Sequence, residues 1–120
     1  MIDDNVLKEF ADFLIKIRYE NVLKELKIDC WQDDMGLYIN LNVILIKKSY
    51  RNKGWGSLIL KDIVQLADLH NVRVKLYCTN LYGADLNRLY EFYERHGFVL
   101  IKDNNDGHMI HYPENNLKLL

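Results

Sequence analysis

The chain has 120 residues, of which 49% are hydrophobic, and its formal net charge is −1 at pH 7. This length fits one domain, and this hydrophobic fraction is enough for one packed core. The near-neutral balance excludes a global electrostatic field for nucleic acid or acidic membranes, so any anion-binding site must be local.

Cysteine use and the N-terminal residues predict the compartment. Cys30 and Cys78 each lie in an apolar run, which is typical of a reduced intracellular protein. The acidic start of the chain is unlike a secretory signal, and no apolar run approaches the ~20 residues that span a bilayer. We therefore expect a cytoplasmic protein with one domain over residues 1–120 and no membrane partner.

The first third of the chain predicts helix followed by a hairpin. Apolar residues at helical spacing indicate a helical region over residues 4–26, with a break near Tyr19–Asn21. Lys27–Gln32 and Leu37–Lys47 alternate apolar and polar residues on either side of the turn signal Asp33–Gly36. This arrangement predicts a β-hairpin.

The second hairpin strand changes phase along its length. Its apolar residues occupy alternate positions up to Leu41, and Ile44 and Ile46 then continue on the opposite parity. Such a slip predicts a β-bulge near Leu41–Val43. A strand that becomes buried on both faces, as parallel strands do, fits the same pattern.

A βαβ unit follows the hairpin. Residues 56–69 carry the clearest amphipathic helix pattern, and Val72–Cys78 is a strand candidate directly after it. Strand, helix and strand in this order predict parallel pairing of the two strands with a right-handed crossover.

The last third predicts a helix and a hairpin. Residues 85–96 have an apolar helical stripe, and Gly97 fits the position just after the helix, with Phe98 as its apolar contact. Phe98–Lys102 and His108–Tyr112 are predicted to pair as a terminal hairpin.

The segment that points to chemistry lies between the second strand and the clearest helix. Two glycines, Gly54 and Gly56, open the helix, so a ligand can approach the backbone amides. Free N–H groups and the dipole at a helix N-terminus favour a phosphate, and Arg51 and Lys53 add positive charge. The segment predicts a pyrophosphate site, although a tight turn with solvated cations explains a bare Gly-x-Gly. Neither the P-loop spacing nor the third glycine of the dinucleotide fingerprint is present.

Two motifs together resemble those of one family. Arg51-x-x-Gly54-x-Gly56 is similar to the Arg/Gln-x-x-Gly-x-Gly/Ala motif of the GNAT family of N-acetyltransferases. Tyr93-x-x-x-Gly97-Phe98 resembles its second signature, and the element order also matches over roughly residues 37–112. The resemblance implies an α/β GNAT fold. Its sheet would be mixed and mostly antiparallel, with a central splayed parallel strand pair, N-terminal helices and two flanking helices.

The resemblance also implies acetyl-CoA as co-substrate and no metal. Backbone groups of the strand before the loop would pair with the pantetheine arm, and loop amides would hold the pyrophosphate. An N–H near the bulge would stabilise the oxyanion that forms on the thioester carbonyl. Asn87 is the candidate for a pantetheine-contacting asparagine, although its spacing to the tyrosine is one residue short. The implied cofactor-binding residues are Ile44, Leu45, Ile46, Arg51, Asn52, Lys53, Gly54, Trp55, Gly56, Ser57 and Asn87.

Tyr93 matches the family's tyrosine that protonates the departing CoA thiolate. A phenol of pKa ~10 is a workable acid toward a thiolate whose conjugate acid lies near ~8.5. Tyr93 also lies on the apolar stripe of its helix, so the alternative is a purely structural role as a core anchor with a hydrogen-bonded hydroxyl.

The base that deprotonates the amine is not singled out by any spacing. The polar candidates are Asp33, Asp34, Asp85, Glu91 and His111. His108 and His111 have opposite parity on a strand and do not form a metal pair.

Two functions from different classes fit the sequence. The first is acetyl transfer to a protein lysine, a protein N-terminus or a small amine by a monomer or homodimer. The second is a catalytically inactive CoA-binding or protein-interaction module. Its partner surface would come from the aromatic residues Trp31, Tyr38, Trp55, Tyr82 and Phe92. The basic cluster Lys47–Lys53 is too local for a duplex footprint, so we expect no nucleic-acid partner.

Overall fold

A computed structural model describes residues 3–79, 85–101 and 106–113. In chain order the elements are α1 (Asp4–Arg18), β1 (Leu23–Asp33), β2 (Gly36–Ile46), a 3-10 turn (Lys48–Tyr50), α2 (Trp55–Leu69), β3 (Arg73–Tyr77), α3 (Leu86–Arg95), β4 (Val99–Leu100) and β5 (His108–His111). No helix in these ranges has the length and apolar character needed to cross a membrane. Tyr82, one of the aromatic residues of the predicted partner surface, lies within residues 80–84, which are outside the described residues.

The strands form one mixed sheet in the order β1-β2-β3-β5-β4. β2 and β3 are parallel, with α2 as the crossover between them, and the other neighbouring pairs are antiparallel. Both predicted hairpins and the predicted βαβ unit are therefore confirmed.

The helical prediction for residues 4–26 is wrong in its second half. Asp3 accepts a hydrogen bond from the Val6 N–H and caps α1, which ends at Arg18. Leu23 already belongs to β1 and pairs with Ile46. The apolar residues after the break suit either element, and antiparallel pairing with the end of β2 decides for the strand. The described residues hold one N-terminal helix where several were expected.

The β-bulge is confirmed and centres on Asn42. Lys27 pairs with Val43 and the next residue, Ile28, pairs with Leu41, so Asn42 is the extra residue on β2. Because the bulge absorbs one residue, the apolar side chains before and after it share one face of the sheet. This face continues into the core.

The core lies between this face and the helices. Fully buried side chains from α1, α2 and the sheet meet there; the largest are Leu7, Ile15, Ile39, Ile59, Leu60, Ile63, Met109 and Val74. α1 packs mainly on β1, and α2 packs on α1, β2 and β3. This packing sets the N-terminus of α2 at the end of β2.

A charged network on the other face joins the hairpin turn to β3. Buried Arg73 donates from both Nη atoms to the Asp33 carboxylate, and Lys75 Nζ donates to the same group at 2.8 Å. Hydrogen bonds from Arg73 and then Lys75 hold the pKa of Asp33 well below its usual range. The network fixes the closed end of the parallel strand pair.

Candidate functional site

The parallel pair β2–β3 is splayed. The two strands pair only between Tyr38–Asn40 and Arg73–Lys75, although both strands continue beyond these paired residues. From Leu41 to Ile46, β2 pairs with β1 on one side and with no described strand on the other. The sheet therefore has a gap toward the carboxyl ends of these strands, as the resemblance implied.

The backbone of β2 offers alternate residues to this gap. The Lys47 N–H donates to the Val22 carbonyl at 2.8 Å, so it faces β1. Because backbone groups alternate sides along a strand, Leu45 also faces β1, whereas Ile44 and Ile46 face the gap. A ligand added to this edge would meet Ile44 and Ile46 rather than Leu45.

The loop after β2 is tied back to the strand. Arg51 Nε donates to the Ile46 carbonyl at 3.0 Å. Asn52 and Gly54 have positive φ angles of 62° and 86°, which turn the chain sharply into α2. Lys53 is exposed between them. Arg51 thus holds the loop at the gap, and its Nη atoms have no hydrogen bond within the described residues.

The first turn of α2 presents free amides. Gly54 is its N-cap and no side chain caps it, and the Leu58 N–H is the first to bond back, to the Gly54 carbonyl at 3.2 Å. The N–H groups of Trp55, Gly56 and Ser57 therefore lack helical partners. Such a turn binds an anion through its amides and its dipole.

Gly56 is not required by the protein's own packing. A Cβ built on Gly56 would meet Phe92 Cζ at 3.9 Å, which is ordinary contact. Its φ lies outside the positive range, so alanine would suit this helical position. The packing of the described residues therefore accepts glycine or alanine at this position, as does the motif Arg/Gln-x-x-Gly-x-Gly/Ala.

Side chains around the loop fix its position. Trp55 makes edge contacts with Tyr19 and Tyr50, with ring centroids 6.3 and 6.5 Å apart. Ser57 Oγ lies 2.9 Å from His96 Nε2, which joins the start of α2 to the end of α3. The amides of the first turn are therefore held in a stable orientation.

Tyr93 packs between aromatic rings near the end of β3. It makes edge contacts with Phe92 at 5.2 Å and Phe98 at 5.6 Å, and Gly97 (φ 87°) ends α3 as predicted. Burial raises the pKa of Tyr93 to about 12, with a smaller contribution from Cys78, which directly follows β3. Tyr93 is thus half-buried against the core and close to Cys78, which follows the end of β3.

Several of the other predicted polar residues make hydrogen bonds within the protein, and others are exposed to solvent. Asp85 caps α3 by accepting from the N–H groups of Asn87 and Arg88, and Asn87 itself is exposed. His111 is buried between the Gly97 carbonyl at 3.2 Å and Asp68 at 2.9 Å. Together with Asp33, these contacts assign structural positions to three of the five candidate bases. Asp34 and Glu91 are exposed.

The sequence raised His108 only as a possible metal ligand and not as a candidate base. His108 stacks on Tyr77 with centroids 4.6 Å apart, and its buried Nε2 has no hydrogen-bond partner within the described part of the chain. Burial and the nearby Lys75 lower its pKa, which favours the neutral, proton-accepting ring. Strand parity alone could not predict the burial of His108 Nε2, because the residues that surround this ring lie on the neighbouring strand.

The described residues contain no group of three or more His, Cys, Asp or Glu side chains placed to hold a metal ion.

The chain matches a family model described as an acetyltransferase (GNAT) domain over residues 17–100. No curated protein matches its sequence significantly.

Solved structures share the fold at low identity. An acetyltransferase of the GNAT family from Staphylococcus aureus Mu50 is 16% identical, with a TM-score of 0.55 over 94% of this chain and 81% of that chain. The KacTA–DNA complex gives 18% identity and a TM-score of 0.57 over 78% of this chain and 59% of that chain. AtaTR bound with acetyl-CoA gives 13% and 0.57 over 72% and 55%. The chain thus spans less than two thirds of the length of these last two.

Proposed function

The chain belongs to the acetyltransferase (GNAT) family, and from this membership we propose that it transfers an acetyl group from acetyl-CoA to an amine by direct attack. The observation that carries the proposal is the conjunction of two features. A parallel strand pair opens into a gap, and a helix whose first-turn amides are free begins at the mouth of that gap.

Acetyl-CoA has two parts that suit these features. Its pantetheine arm carries amides that would pair with the gap-facing backbone of Ile44 and with the N–H of Ile46. Its pyrophosphate would accept hydrogen bonds from the amides of Asn52 through Ser57, with Arg51 and Lys53 supplying positive charge. The similar AtaTR structure contains acetyl-CoA, which supports the choice of co-substrate.

Tyr93 is the group we assign to the departing sulfur. Its raised pKa of about 12 keeps the phenol protonated at neutral pH. Full proton transfer to a thiolate with a conjugate acid near ~8.5 is uphill, so the hydroxyl would act chiefly as a hydrogen-bond donor as charge develops on sulfur.

The acceptor is proposed only as a class. A protein lysine, a protein N-terminus and a small amine all carry the required nucleophile, and each must lose a proton before it attacks. No described contact distinguishes among these three.

The direct experiment combines binding and turnover. Calorimetric titration with acetyl-CoA should show binding, and Gly54→Asp should abolish it through repulsion and bulk at the loop. Release of free thiol should then be followed over a panel of polyamines, lysine peptides and free N-termini. Absence of acetyl-CoA binding to the folded protein would refute the proposal.

Binding without turnover on any amine would favour the alternative of an inactive CoA-binding or interaction module. The similar KacTA structure contains DNA, which weakens the expectation that this chain has no nucleic-acid partner. A DNA-binding measurement at several salt concentrations, with and without acetyl-CoA, belongs in the same set of assays.

A further inference from the structure

Helix α1 has two apolar faces. The inner face carries Leu7, Ala11 and Ile15, all fully buried in the core. A second row, Val6, Phe10, Phe13 and Ile17, has 51, 46, 64 and 57% of its surface exposed. We refer to this second row as the outer stripe. Isolated exposed apolar residues need no explanation, but a continuous row of four along one helix marks a contact surface.

The outer stripe has the spacing of a helix–helix seam. Its members are separated by four, three and four residues, as in the seam of a coiled coil. The spacing is the same when it is read in either direction along the helix. A reversed copy of the stripe therefore matches the original position by position.

We propose that the outer stripe is the contact surface for a second copy of this chain, with the two α1 helices antiparallel about a two-fold axis. In this arrangement Val6 lies against the partner's Ile17, and Phe10 lies against the partner's Phe13. The contact is isologous and closes as a dimer. It is independent of acetyl transfer and of the gap in the sheet.

The charges beside the stripe match this orientation. Glu9 and Lys16 border it on the side away from the core, on opposite sides of the helix midpoint. Antiparallel packing brings this border against the same border of the partner, so Glu9 faces the partner's Lys16 twice. A parallel arrangement would instead set the charged border against the partner's core-facing side of α1.

An intrahelical ion pair does not prevent this contact. Lys16 Nζ lies 3.0 Å from Asp12, and the lysine side chain is 52% exposed. Exposed pairs of this kind contribute little to stability, so Lys16 can also serve the partner's Glu9.

The size of the contact indicates a weak dimer. The exposed parts of four large apolar side chains amount to roughly 400 Å² per copy. Together with the charged border, the total falls at the low end of specific interfaces, where weak and transient association is typical, so we expect a dissociation constant of the order of micromolar or weaker.

Sedimentation velocity over ~1–200 µM tests the proposal directly. The mass should rise from the 14.3 kDa of one chain toward twice that value. Phe13→Glu should remain monomeric over the whole range, whereas Met35→Glu, at an exposed residue in the β1–β2 turn, should dimerise like the wild type. Circular dichroism confirms that both variants are folded.

Charge reversal tests the orientation. Glu9→Lys and Lys16→Glu should each weaken the dimer about tenfold or more, because each sets like charges against each other. The double variant, or an equimolar mixture of the two single variants, should restore it. A wild type that is monomeric at the highest concentration overturns the proposal. A dimer that survives Phe13→Glu, or a double variant that fails to recover, overturns it equally.

Discussion

At the residue scale, Tyr93 shows how packing changes a chemical role. The sequence motif places a phenol near the expected thioester, and an ordinary phenol is a moderate acid toward a thiolate. The structure surrounds the ring with Phe92 and Phe98, and burial raises its pKa to about 12. Burial among these rings makes the phenol a weaker acid, so the role that we propose for it is hydrogen-bond donation rather than full proton transfer.

Substitution of Tyr93 by phenylalanine separates the chemical role from the structural one. Because only the hydroxyl is lost, we expect kcat to fall roughly 100-fold while the dissociation constant for acetyl-CoA stays nearly unchanged. With a pKa of about 12, Tyr93 keeps its proton up to pH 10, so the loss should be constant from pH 6 to 10. Steady-state kinetics and calorimetry measure both quantities.

Tyr90→Phe is the matched control, one turn earlier on α3 and also half-buried. It should retain wild-type kcat. A Tyr93→Phe enzyme with full rate at every pH would leave the hydroxyl without a role in the reaction.

At the scale of elements, the proposed binding of acetyl-CoA depends on the junction of β2 and α2. Beyond the bulge at Asn42, one edge of β2 faces the gap. The first turn of α2 has three N–H groups without helical partners. Arg51 closes the loop between them through the Ile46 carbonyl. The end of the strand, the loop and the start of the helix therefore form one surface. An extended arm that carries a diphosphate can lie on this surface.

Gly56→Glu tests this junction without disturbing the fold. The new Cβ meets only Phe92 at ordinary contact distance, and glutamate is a better helix former than glycine, so thermal stability should be unchanged or slightly raised. We expect acetyl-CoA affinity to fall about tenfold or more, because the added carboxylate would repel a diphosphate at the first-turn amides. Melting temperature and calorimetric affinity are measured on the same sample.

Gln65→Glu, at an exposed position later in α2, controls for the effect of an added glutamate on helix stability and net charge. It should leave affinity at the wild-type value. Unchanged acetyl-CoA affinity in Gly56→Glu would place the diphosphate elsewhere.

At the scale of the whole molecule, a charged network holds one end of the parallel pair closed while the other end opens. Asp33, at the end of β1, accepts hydrogen bonds from Arg73 and Lys75 on β3. These two residues lie in the only segment of β3 that pairs with β2 within the described residues. Breaking the network would leave the Arg73 guanidinium buried without its carboxylate partner, although it keeps its hydrogen bond to the Gly36 carbonyl. The Asp33 carboxylate thus stabilises the closed end of the parallel pair.

The network predicts acid sensitivity with a defined sign. Because the pKa of Asp33 is lowered in the folded state, its stabilising effect is present above the ordinary carboxyl pKa of ~3.9 and is lost as the pH falls below it. Asp33→Asn should therefore melt at a lower temperature than wild type at pH 7, and the difference should shrink steadily below about pH 4. Thermal denaturation across pH measures this.

Asp34→Asn, an exposed neighbour in the same turn, is the control and should follow wild type at every pH. A difference between Asp33→Asn and wild type that does not change with pH would rule out charge as its cause.

The sequence by itself determined the elements with strong local signals and the family. Helical periodicity predicted α2 and α3, the phase slip predicted the bulge, and Gly97 predicted the end of α3. These features depend on residues close together in the chain, so local patterns carry them. The motif at Arg51–Gly56 and the one at Tyr93–Phe98 were sufficient for the family, whose model matches residues 17–100.

Only the tertiary structure decided features that depend on distant partners. Leu23 belongs to a strand because Ile46 pairs with it, and Leu45 faces away from the gap because β1 occupies that side of β2. The burial that raises the pKa of Tyr93, and the burial of His108 Nε2 without a hydrogen-bond partner among the described residues, likewise depend on neighbours from other elements. Backbone pairing and desolvation are set by neighbours in space, and a local pattern does not specify those neighbours.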